Sequence, residues 1–121
     1  MEIKNTVNRL PQFKQNLDSL FNKAVIVGVL NNKGAQEEAL KTEYGTPSQP
    51  TNPFFERAVR KANKENSIIM QVGGAEVLAG KKTTEDVLTQ VGKNTVETVK
   101  KEGEDQQVPQ SVIDNIGYKV V

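Results

Sequence analysis

The chain has 121 residues, 36% of them apolar and only 5% aromatic, with 16 basic against 15 acidic side chains. That length fits one domain with a thin core built from Val, Ile, Leu and Ala, and a net charge of +1 lacks the basic excess of a general nucleic-acid binder. With no Cys and no His, there is no disulfide frame, thiolate nucleophile or zinc-finger spacing, and the commonest general base is missing, which counts against an enzyme and against a metal or organic cofactor.

In chain order, Ile3, Val7, Leu10, Phe13 or Leu17, Leu20 and Phe21 recur at helical spacing. They predict an amphipathic amino-terminal helix over about 2–22, kinked or begun at Pro11. The opening "MEIKNTVNRL" has no signal-peptide core, and no apolar run is long enough for a membrane span. "AVIVGVL" predicts a buried strand over 24–30, and "NNKG" a turn. "AQEEALKTEY" predicts a short helix with Gly45 as its cap. The turn over 45–53 carries Pro47, Pro50 and Pro53 at every third position, which favours an extended, partly polyproline-like path.

Asn52-Pro53 then predicts a helix start, with Asn52 as the side-chain cap. Phe54, Phe55, Ala58, Val59 and Ala62 share one face of a helix over about 53–65, ended or loosened at Asn63–Asn66. "SIIMQV" fits a helix or a strand, and Gly73-Gly74 predicts a break or bend. The clearest helix spans about 84–102, capped by Thr83 or Thr84, with Val87, Leu88, Val91, Thr95 and Val99 inward. A short helix capped by Ser111 and an extended end from Tyr118 complete the chain. The expected class is α+β: amphipathic helices packed on a small β-sheet, in a single domain over 1–121.

No motif carries catalysis. "GGAEVLAGKK" has five residues between Gly74 and Gly80, and Lys82 stands where a phosphate loop needs Ser or Thr. Glu37, Glu38 and Glu43 do not share a helix face, and Glu102, Glu104 and Asp105 lack calcium-loop spacing. Arg57, Arg60, Lys61 and Lys64 form a basic stripe. It reads as a solvated face, as a contact for acidic groups of a neighbouring subunit, or as a phosphate contact. Phe54 and Phe55 read as core anchors, or as one core anchor and one intersubunit ring, since neighbours on a helix point about 100° apart.

The run from Glu43 to Ala58 resembles the small neck and tail-completion proteins of long-tailed bacteriophages. In that family an aromatic-Gly-Thr element precedes a proline-arginine-proline-phenylalanine turn that opens a helix. The matching residues are Glu43, Tyr44, Gly45, Thr46, Pro50, Pro53, Phe54, Phe55, Arg57 and Ala58. "VLTQVGKNTVETVKKE" and "VPQSVIDNIGYK" resemble the family's second long helix and closing segment more loosely. Asn52 stands where the family has arginine, so that arginine's salt bridge is lost or replaced here. The sequence also stops soon after Tyr118, where many relatives run on into a further strand.

The resemblance implies a non-enzymatic virion protein, made in the host cytoplasm. Its copies would form a ring, sixfold in order, at the head–tail junction, touching neighbouring neck or tail proteins with DNA near the lumen. Tyr44, Gly45, Thr46, Pro50, Pro53, Phe54, Phe55 and the basic stripe would supply structural and interface residues. The alternative is a small DNA-binding accessory protein that uses the stripe over 57–64.

Overall fold

The computed structural model describes residues 22–121, so the predicted amino-terminal helix lies outside the described residues but for its last position. Strand β1 (Val25–Val29) leads to helix α1 (Lys33–Tyr44), then α2 (Phe54–Leu78) and α3 (Thr84–Asp105), a single turn α4 (Gln110–Ile113), and strand β2 (Ile116–Val120). β1 and β2 pair antiparallel from Val25↔Val120 to Val29↔Ile116. The class is α+β, with helices packed on a two-stranded sheet.

The paired valines of β1 share one sheet face with Ile116, Tyr118 and Val120, because side chains alternate along a strand. α3 packs on both strands and, over most of its length, on α2. Its buried positions include Val87, Leu88, Val91, Thr95 and Val99, the stripe read from the sequence. Thr83 caps α3 in a reciprocal box with Asp86, joining two otherwise unpaired backbone donors. The core proper gathers Phe54, Ala58, Val99, Val108, Val112, Ile113 and Ile116.

Four expectations change. α2 neither loosens at Asn63–Asn66 nor breaks at Gly73-Gly74, but runs unbroken for 25 residues. Asn66 bridges to α3 instead, donating to Thr95 Oγ1 at 2.9 Å and accepting from Asn94 Nδ2 at 2.8 Å. Gly73 is a contact point rather than a hinge: a Cβ there would lie 2.6 Å from Val87 Cγ1. "SIIMQV" is therefore helical. α3 runs on through Gly103 to Asp105, and Ser111 does not cap α4, whose amino-terminal flank is Pro109 without a side-chain cap.

Gly92, the interior glycine of α3, is covered by the Tyr118 ring, whose Cγ would lie 2.7 Å from an added Cβ. The sheet and helix thus meet at a ring on a bare backbone.

The adjacent glycines of α2 should respond in opposite directions. Gly74 has open space around an added Cβ, so Gly74→Ala should raise stability by about 0.5–1 kcal/mol through helix propensity. Gly73→Ala must displace a β-branched side chain and should cost about 1–3 kcal/mol. Urea unfolding followed by circular dichroism measures both.

Candidate functional site

The stretch that resembles the phage family folds into a clamped shoulder between α1 and α2. α1 ends where the Gly45 N–H bonds Lys41 O at 2.8 Å, with Gly45 at φ 77°, ψ 174°. This region is open to glycine almost alone, and an added Cβ would also meet Gln49 O and Thr51 at 3.0 Å. The chain then closes a tight turn: Thr46 N–H bonds Gln49 O at 2.9 Å, and Gln49 N–H bonds Thr46 O at 3.1 Å. The expected polyproline-like path is corrected here. Pro47 fits inside a hydrogen-bonded turn because its fixed φ suits the second position, while Pro50 lies exposed on the way out.

α2 does not start as the Asn-Pro pair suggested. Pro53 occupies the half-helical position and makes no side-chain cap, and Asn52 does not cap either. The cap comes from twelve residues back: Glu43 Oε1 accepts from Phe55 N–H at 3.1 Å and Glu43 Oε2 from Glu56 N–H at 3.3 Å. A carboxylate here satisfies the unpaired amides of the first turn and faces the positive end of the helix dipole.

Asn52 joins three elements. Its N–H bonds Thr42 O of α1 at 2.8 Å, its Nδ2 donates to Gln106 O at 3.4 Å, and its Oδ1 accepts from Arg57 Nη2. Arg57 Nε also donates to Glu102 Oε1 at 3.3 Å, and Lys61 Nζ donates to Glu102 Oε2. Glu102 is 3% exposed, while its cationic partners remain partly in solvent. The hydrogen bond from Lys61 holds its carboxyl below the ordinary value; burial opposes this, and the Lys61 charge with the Arg57 hydrogen bond and charge reinforce it.

The basic stripe is therefore not one surface. Arg57 and Lys61 turn to Glu102, Arg60 pairs with Glu56 one turn earlier at 2.7 Å, and Lys64 is exposed. The phenylalanines also divide. Phe54 is 1% exposed in the core, while Phe55 is half-buried, edge-on to it with centroids 6.3 Å apart. Tyr44 projects outward and is 73% exposed. Thr46 and Pro53 are partly buried within the shoulder.

Sequence reasoning named ten residues of this stretch by resemblance, Glu43 among them, but did not foresee Glu43 as the cap of α2 and set Glu102 aside as a helix-end charge. A signal for Glu102 existed: it stands two turns after Thr95 and one after Val99 on the inward stripe of α3, where an acid must find a partner. Among the described residues, no group of three His, Cys, Asp or Glu side chains is placed to hold a metal ion. No protein-family model, curated protein or solved structure matches the chain.

Two outcomes follow from this geometry. Because the folded state holds the Glu102 carboxyl low, its contribution is complete above the unfolded value of roughly pH 4.3 and fades as pH falls through the lower folded value. Urea midpoints should drop between pH 6 and pH 3, and Glu102→Gln should flatten that drop while costing about 1–3 kcal/mol at pH 6. Glu43→Ala should cost about 1 kcal/mol, the usual loss for a cap. In hydrogen exchange it should expose the first amides of α2 before any others.

Proposed function

We propose that the protein is a structural component of a long-tailed phage virion, acting at the head–tail junction as a neck, tail-completion or tail-terminator protein. The reading rests on one observation: the segment that resembles that family is a shoulder fixed at both ends. Glu43 holds the start of α2, and Asn52, Arg57, Lys61 and Glu102 tie it to α1 and α3. A surface already ordered in the free chain loses little entropy when it docks.

Copies assemble head to tail in this proposal. A closed ring needs two different, complementary patches on each copy. Tyr44, the last residue of α1, stands beside the first turn of α2, and Ile68 and Val72 lie exposed one helical turn apart on the second half of α2. About 21–27 Å of helix axis separates those positions from Phe54. α2 thus links the two patches, one beside its start and one on its second half, and its orientation would set the angle between successive copies.

The DNA-binding alternative draws less support. Three of the four stripe cations already face carboxylates, so fewer charges are left to exchange for counterions.

Electron microscopy of the protein mixed with purified tails or connectors tests the proposal. Rings, or density at tail-tube ends, are the expected outcome. Tyr44→Ala and Val72→Asp should keep the melting temperature of the parent chain yet lose that binding. A chain that stays monomeric and binds neither tails nor connectors refutes the assignment, as would DNA affinity that falls steeply with salt and vanishes in Lys64→Gln.

A further inference from the structure

Two helices of the fold each leave one apolar ridge in water. α1 buries Ala35 and Thr42, and its opposite side carries Glu37, Leu40 and Tyr44 at i, i+3 and i+7. α2 buries Ala62, Gly73 and Val77, and its opposite side carries Lys64, Ile68 and Val72 at i, i+4 and i+8. Leu40 is 58% and Tyr44 73% exposed, and Ile68 and Val72 stand at 54% and 57%. Leu40 and Tyr44 also line, with Phe55, an apolar groove between α1 and the first turn of α2. Single exposed apolar residues need no explanation, but ordered pairs on the backs of two helices do.

We propose that these ridges meet in successive copies, Leu40 and Tyr44 of one against Ile68 and Val72 of the next, with Glu37 across from Lys64. The pairing rests on the head-to-tail assembly proposed above, though not on the virion. Three properties support it. The first is register: both apolar pairs are four residues apart, so each spans about 6 Å of helix axis and the two stay in step.

The second is charge. Glu37 stands one turn before Leu40, and Lys64 one turn before Ile68, so helices running in the same sense set acid against base. In the opposite sense Glu37 would face Ala75, and Lys64 would pass the end of α1. Both side chains are exposed, and neither has an ion-pair partner among the described residues. Lys33, one turn before Glu37, comes level with Lys61, whose charge is already turned to Glu102. The third is reach. Within one chain the ridges cannot meet, because Tyr44 stands beside the first turn of α2 and Ile68 lies about 21 Å further along that helix.

A charge exchange between chains tests the pairing without any phage component. Glu37→Lys makes both positions basic, and Lys64→Glu makes both acidic. Either variant alone then sets like charges face to face, and sedimentation velocity should show self-association weakened about tenfold or more. An equimolar mixture sets Lys against Glu at every contact, so assembly should return to within about threefold of the parent. Rescue on mixing also shows that neither variant failed to fold.

The chain has no native cysteine, so mild oxidation of mixed Leu40→Cys and Ile68→Cys chains gives a second reading. Disulfides should join unlike chains. Like-with-like disulfides, single variants that assemble as the parent does, or a mixture that stays apart would each overturn the pairing. So would a parent chain that never self-associates; its binding to tails would then keep the virion reading alone. Rescued assembly in a protein with no affinity for tails or connectors would keep the pairing and remove the virion.

Discussion

An ionised carboxylate taken out of water costs several kcal/mol unless other charges and donors replace its hydration. Glu102 is such a group, and its demand propagates through the shoulder. Two cations must reach it from α2, which requires Arg57 and Lys61 one turn apart on the side facing α3. Satisfying it fixes the register of α2 against α3. Arg57 then has a donor left for Asn52, and Asn52 holds the ends of α1 and α3. The turn over 45–53 is rigid because both of its flanks are bound to this network. Prolines alone would restrict the chain without deciding where it points.

Much of the frame was legible because local chemistry and burial agreed. The box at Thr83 and Asp86 and the inward stripe of α3 each announce one structure, whereas the β-branched run of β1 announced a strand but not its burial: none of its five residues is buried, and Ile26 is exposed. Gly45 announced a cap and adopts a positive φ. The errors arose where a residue's role depends on a distant partner. Asn63–Asn66 looks like a helix end in isolation, since Asn competes with its own backbone. In the fold Asn66 is spent on Asn94 and Thr95, so the helix continues. Gly73-Gly74 looks like a hinge until Val87 is seen against one of its members.

The same reasoning explains the candidate site. Periodicity identified Phe54 and the stripe of cations, but it could not divide either set. Phe54 and Phe55 differ by the 100° that separates neighbours on a helix, and that angle sends one inside and leaves the other at a groove wall. The helix cap was missed for a related reason. Local rules look for a side chain one to three residues ahead, whereas Glu43 arrives across the whole turn. Asn52 accepts one hydrogen bond from Arg57 and donates one to Gln106, a neutral link between α2 and the end of α3.

The sheet has a kinetic consequence. β1 and β2 lie at opposite ends of the described chain, and Ala24 and Val121 close their ladder with bonds of 3.0 and 2.8 Å. Joining them means closing a loop that contains α1 to α4, whereas α2 and α3 meet across a link of only 79–83. Loop entropy favours the nearer contacts first. The helical hairpin thus forms early and offers Gly92 as a waiting seat, and the strands zip last, when the Tyr118 ring settles onto it.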